Sequence, residues 1–321
     1  MYDKKSENDK DDTVQNTNIQ LLGYINEYIE NLDVLPPTKQ GYHRILAEYC
    51  NHISKKTSSP TRLDILNYKE YLKSKNKAAS VQKYIVVIRN FYRWLSIEGY
   101  GSNIAEGVKG AKIVSDFKRE ALTAEQAKRL LSRAKFHASK GIKELRDYAI
   151  IALLLTTGLR TIEVERSNIS DINAVDGVRL LYIMGKGHDD KDSFVKLSPQ
   201  VYLIIQDYLM QRSDGYEPLF INHDTHNLGE RVRTRTVRAV VKELLRQIGI
   251  DNPKYSAHSL RHTAATLSLL QGANIEDTQQ LLRHKDPTTT QIYIHRLDKM
   301  KGNLEEKISD ALFGTHKQKK G

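Results

Sequence analysis

The chain has 321 residues, 39% of them hydrophobic and seven of them proline, enough for two domains with separate cores and too apolar for a disordered polymer. Fifty Lys and Arg against 39 Asp and Glu leave a net charge of +11, which suits a polyanionic partner such as nucleic acid. The single cysteine, Cys50, excludes an intramolecular disulfide and a cysteine-built zinc site. No apolar run reaches the length of a membrane span, so no membrane partner is expected and the expected compartment is the cytoplasm.

Residues 1–18 are polar and mixed in charge and read as a disordered tail. In NIQLLGYINEYIENL, Leu22, Ile25 and Ile29 recur at helical spacing, and TKQGYHRILAEYCNHI continues the pattern. SPTRLDILNYKEYLKSK opens on Thr61, with Asp64 three residues on, as a helix start. SVQKYIVVIRNFYRWLSIEG opens at Ser80 and stops at Gly99. These segments predict an all-helical module over 19–105. From Thr38 to Glu120 there are 16 Lys/Arg and 7 Asp/Glu, an excess of nine. Lys69 lies near Tyr68 and Tyr71, Lys83 near Tyr84, and Arg89 and Arg93 flank Phe91 and Tyr92. Solvated faces over core aromatics explain that pattern, and so does a helical module gripping phosphates.

Glycines break the periodicity after Gly99, and 106–120 reads as a linker. A second domain over 121–300 starts at LTAEQAKRLLSRA, with Thr123 and Gln126 in a capping-box pattern. LRDYAIIALLLTTG is too apolar for a surface helix and predicts the centre of this domain. VRLLYIMGKGHDDKDSFVKLS predicts a hairpin. Helical patterns return in PQVYLIIQDYLMQR, RTRTVRAVVKELLRQIG, HSLRHTAATLSLLQG and IEDTQQLLRH. The expected fold is mainly α: a helical first domain, then a mixed but mostly helical domain with a small antiparallel sheet. In the tail over 301–321, Leu304, Ile308 and Leu312 make a short apolar helical stripe.

Four stretches carry candidate chemistry. TTGLRTIEVERS holds Arg160 and, one turn on, Glu163, a pattern that an ordinary helix-end ion pair also produces. Lys186 sits between two glycines on the hairpin tip, as a solvated turn lysine does. In HSLRHT, His258 and Arg261 are three apart and share a helix face. His258 and His262 also have zinc-helix spacing, but Ser259 stands where a metallohydrolase needs glutamate, and no metal or cofactor is expected. In LLRHKDPTTTQIYIH, His284 precedes Tyr293 across an Asp286-Pro287 break. Two arginines, two histidines and a lysine together suit a phosphodiester, whose transition state spreads negative charge over its oxygens. Arginine keeps its charge and can fork two oxygens at once.

With these motifs in that order, the chain resembles the tyrosine recombinase (phage integrase, Xer-like) family. TTGLRTIEV, GKG on a hairpin, LTAEQAKRLL after a linker, and above all residues 258–295 carry the resemblance, which spans roughly 20–313. It implies a core-binding helical (SAM-like) domain and a catalytic domain clamping double-stranded DNA at an inverted-repeat site. It also implies a homo-tetramer on two duplexes with the C-terminal tail exchanged between protomers. Position by position, Arg160 and Arg261 would hold the scissile phosphate and Lys186 would protonate the departing 5′ hydroxyl. His258 would be an acid/base group, His284 would bond a phosphate oxygen, Glu163 would support the pocket, and Tyr293 would be the nucleophile. The activity implied is site-specific DNA recombination through a 3′-phosphotyrosyl link, without metal or ATP, for a mobile element or for resolving DNA dimers. Two departures stand out: Arg283 replaces a common glycine, and the tip GKGHDDKDSF is long and acidic. A type IB topoisomerase would use the same chemistry, and a DNA-binding module without cleavage is the rival from another class.

Overall fold

A computed structural model of the chain describes residues 20–54, 57, 59–113, 120–185, 190–283, 309 and 312. The chain divides into two compact units, Met1–Asp116 and Phe117–Gly321.

The first unit is helical: α1 over 20–31, α2 (Pro36–Ile53), α3 (Arg62–Lys75) and α4 (Ala78–Ile97). In α1, Ile25 is buried and Ile29 packs on the core, as their spacing predicts, while Leu22 is 38% exposed and Tyr28 is buried in addition. Proline 36 starts α2, where its missing N–H costs nothing. Thr61 opens α3 as expected, its N–H donating to Asp64 at 2.8 Å. Helix α4 begins earlier than expected, with Lys77 rather than Ser80 as its cap residue. Gly99, at φ 76, stops it.

Tyr49, Tyr68, Phe91 and Tyr92 fill the core between these helices, and the Tyr49 and Tyr92 hydroxyls meet at 3.0 Å. Arg89 and Arg93 stay exposed beside these buried rings, so here the cations are solvated and the aromatics are core. Part of the span read as a linker packs into this core as well: Val108 is buried and Ala111 leans on it. Lys69 donates to the Lys109 carbonyl at 2.6 Å, which holds that strand of chain down.

The second unit is built around α6 (Ile142–Thr157), whose ten buried residues include Ala149 through Leu155. Helix α5 (Ala124–Ala138) packs on it, opened by Thr123 and Gln126, which exchange hydrogen bonds at 2.9 and 3.1 Å. Helices α8 (Pro199–Gln211), α9 (Thr234–Gln247) and α10 (Ala257–Leu270) also lie against α6. Between them come short α7 (Thr161–Arg166) and a three-stranded antiparallel sheet.

The expected hairpin forms from β2 (Val178–Ile183) and β3 (Ser193–Lys196), with Leu181 opposite Val195. A third strand, β1 (Ile172–Val175), was not anticipated. It pairs with β2 through the two-residue turn Asp176-Gly177, both at positive φ, the backbone that an Asp-Gly hairpin turn adopts. Helix α11 (Ile275–Leu282) closes the described chain, apart from residues 309 and 312. Among the described residues no helix is long and apolar enough to cross a membrane.

Candidate active site

The site begins where α6 ends. Gly158, at φ 62, is its left-handed cap, with its N–H on the Leu154 carbonyl at 3.1 Å. A Cβ at this position would stand 2.7 Å from Leu282 Cδ2 and 3.5 Å from Ala264 Cβ. Both the backbone conformation and the closeness of α11 therefore call for glycine. Two residues later the chain turns into α7, and Arg160 is its cap residue.

Glu163 is 1% exposed and serves as the hub of the turn. Its Oε2 accepts the Arg160 backbone N–H at 2.7 Å, and its Oε1 accepts Arg160 Nη1 at 2.7 Å. The Arg160 side chain remains 31% exposed. A buried carboxylate thus orients a cation whose remaining donors can face a ligand.

Arg261 comes from α10, 103 residues away, and is 2% exposed. Its Nη1 donates to the Gly158 carbonyl at 2.6 Å, and its Nη2 donates to the Leu282 carbonyl. Both acceptors lie at helix C-termini, where the dipole favours a cation. One turn earlier His258 is exposed, edge-on to His262 with ring centroids 4.5 Å apart. Ser259 plays a structural part here: its hydroxyl accepts the Ser256 N–H at 3.1 Å at the start of α10. Among the described residues no group of three or more His, Cys, Asp or Glu is placed to hold a metal ion.

Arg283 ends α11 at φ 53. Its Nη2 reaches Glu163 Oε2 at 3.1 Å and its Nη1 donates to the Leu281 carbonyl at 2.8 Å. Burial pushes this guanidinium below its ordinary pKa, against the opposite pull of the Glu163 carboxylate. The sequence singled out Arg283 only as an oddity; its place beside Glu163 has no sequence signal, because the two lie 120 residues apart. This position is left-handed, a backbone conformation that glycine adopts without strain.

Of the expected site residues, the fold brings Arg160, Glu163 and Arg261 together around one turn and sets His258 on the helix that carries Arg261. Lys186, His284, Tyr293 and the Asp286-Pro287 break lie outside the described residues, as do the tail over 1–18 and nearly all of 301–321. Gly185, just before Lys186, is described, and its carbonyl accepts Arg166 Nη1 at 3.1 Å.

Comparison with known proteins places the chain in a family. The model of the phage integrase family matches residues 120–300. Tyrosine recombinase XerC of Pelobacter propionicus is 32% identical over 273 residues, 81% of this chain and 85% of that protein. Tyrosine recombinase XerD of Lacticaseibacillus casei is 30% identical over 290 residues, 85% and 94% of the two chains. Among solved structures, XerH site-specific recombinase bound to a palindromic difH substrate in a post-cleavage complex superposes with a TM-score of 0.69. It covers 84% of this chain and 80% of its own at 20% identity, a likeness that speaks for the fold alone.

Proposed function

Since the chain belongs to the phage integrase family, the tyrosine recombinases of the Xer kind, we propose that its arginine site cuts and rejoins DNA through Tyr293. The protein is a site-specific DNA recombinase. What supports the reading of the site is the convergence of Arg160, Glu163 and Arg261 onto one turn, where Arg261 bonds Gly158 across 103 residues.

In this mechanism Arg160 and Arg261 bind the scissile phosphate. The Tyr293 oxygen attacks phosphorus while its proton passes to His258. The bond from phosphorus to the 5′ oxygen breaks, and Lys186 protonates that oxygen as it leaves. His284 hydrogen-bonds a phosphate oxygen, and Glu163 holds Arg160 in place. A 5′ hydroxyl from a second strand then attacks the 3′-phosphotyrosine and releases Tyr293. One phosphate ester replaces another, so no ATP is consumed. A phenol of pKa about 10 is a weak nucleophile at neutral pH, and the cationic pocket stabilises both phenolate and the developing phosphorane charge. Burial raises the phenols of Tyr49, Tyr68, Tyr92 and Tyr208, which makes them poorer candidates for attack.

The substrate we propose is duplex DNA carrying an inverted repeat, bound by a homo-tetramer that spans two duplexes in the cytoplasm. The tail over 301–321, with Leu304, Ile308 and Leu312, docks on the neighbouring protomer. Integration or excision of a mobile element and resolution of DNA dimers use the same strand exchange.

The test starts from duplexes selected out of a random pool by binding to the Tyr293→Phe protein. Rebuilt as nicked suicide duplexes, they should trap the wild type as a covalent adduct and leave Tyr293→Phe bound but unlinked. An adduct of equal yield from Tyr293→Phe would move the nucleophile elsewhere.

A further inference from the structure

Arg283 is one of two non-glycine residues at positive φ among the described residues, and the other, Asp176, lies in a hairpin turn. An arginine here carries a backbone cost that glycine would avoid. The side chain shows what offsets it. One η nitrogen is on Glu163 and the other on the Leu281 carbonyl, the side chain is only 14% exposed, and Nε is buried without a hydrogen-bond partner. Its side chain meets the rest of the site at the Glu163 carboxylate, and its influence passes through that group.

We propose that Arg283 is a positioning residue for strand cleavage: by sharing the Glu163 carboxylate it leaves Arg160 with an uncompensated positive charge for the scissile phosphate. The inference rests on the reading of the site given above. With glycine at 283, Arg160 and Glu163 would form a pair of zero net charge, +1 and −1. Arg283 makes the trio +1. In-line attack on a phosphodiester adds negative charge at phosphorus, so the extra cation acts most on the transition state and little on bound DNA. Glu163 is buried, and the low local polarity lets that charge be felt at short range.

Division of labour on the carboxylate fits this role. Oε1 takes the Arg160 side chain, while Oε2 takes the Arg160 backbone N–H and Arg283. Arg283 therefore does not displace Arg160 from its orienting contact. It also joins two distant pieces of chain. Arg283 directly precedes His284, and its bond to Glu163 fastens the start of the segment carrying His284 and Tyr293 to the turn carrying Arg160.

The experiment uses the full chain, the selected suicide duplex and three variants: Arg283→Gly, Arg283→Ala and Arg283→Lys. Single-turnover adduct formation at saturating DNA, DNA Kd and melting temperature are read for each. Arg283→Gly and Arg283→Ala should form adduct about tenfold or more slowly with Kd within about twofold of wild type, and Arg283→Lys should recover most of the rate. Glycine removes the backbone cost, so Arg283→Gly keeps the fold readable.

Cleavage by Arg283→Gly as fast as wild type overturns the proposal and leaves the recombinase site intact. A loss confined to Kd overturns it too, because Arg283 would then be a DNA-binding residue. If the rate follows melting temperature across the three variants instead of charge, the side chain is a structural strut and the proposal falls. A wild type that binds the duplex and never forms an adduct refutes the reading of the site, and the proposal with it.

Discussion

Gly158→Ala asks one methyl group to enter the tightest point of the site. Two costs follow from the geometry. Alanine must hold φ near +62°, which costs about 1 kcal/mol relative to glycine. Its Cβ would also overlap Leu282 Cδ2 at 2.7 Å and touch Ala264 Cβ at 3.5 Å. Leu282 is 0% exposed and packs with Ala265, so relief means moving a filled core, an overpacking cost of about 1–3 kcal/mol. The sum is about 3 kcal/mol.

Gly249→Ala is the matched control: Gly249 lies in the same unit at φ 82 with nothing within 4 Å of the added carbon. It should lose only the backbone part, about 1 kcal/mol. The gap of about 2 kcal/mol corresponds to roughly 4–8 °C in Tm for a unit of this size. Scanning calorimetry on the full chain, with urea midpoints alongside, measures it. Equal Tm values for the two variants would show that Leu282 yields freely and that the close approach of α11 constrains nothing. Since the Gly158 carbonyl also holds Arg261, Gly158→Ala should slow adduct formation where Gly249→Ala does not.

Two further predictions concern other parts of the molecule. The Arg212 guanidinium, donating to the Asp214 carboxylate, holds that carboxyl below its ordinary 3.8, helped by the Tyr216 backbone N–H. A depressed folded pKa adds stability that is complete above the unfolded value and is lost as pH falls through the folded one. Asp214→Asn should therefore be less stable than wild type by a constant amount above about pH 5, with the two converging below about pH 4. Urea midpoints across that range measure it, and a gap unchanged down to about pH 2.5 would contradict the assignment. Truncation after Gly302 should leave binding to a single site intact and weaken assembly on two duplexes, read by gel shift. Full synapsis by the shortened chain would remove the tail from the interface.

Short-range features were legible from the residues. Thr61 with Asp64 and Thr123 with Gln126 each act within three residues, so their hydrogen bonds are written locally. The Asp176-Gly177 turn is as local, but the strand before it has only four residues, too few to show a period. Helix α6 was legible because a run of apolar residues that long can only be buried. Helix α1 shows the limit of periodicity. Leu22, Ile25 and Ile29 share helical spacing, yet Ile25 and Ile29 reach the core with Tyr28 while Leu22 stays exposed. Which face of a weakly amphipathic helix is buried depends on what packs against it.

The sequence by itself determined the family, the helical plan and the order of the arginines, histidines and tyrosine, because motif spacing is a property of the chain. Only the tertiary structure decided that Arg261 is buried against the Gly158 and Leu282 carbonyls, and that Glu163 is shared between Arg160 and Arg283. Those contacts join residues 21 to 120 positions apart, except for the local Arg160–Glu163 pair. Gly158 and Arg283 are both left-handed helix ends, and the space a side chain would need at Gly158 is taken by Leu282 of α11. No local pattern encodes such a contact, because its free energy arises only once both helix ends are brought together and water has left between them.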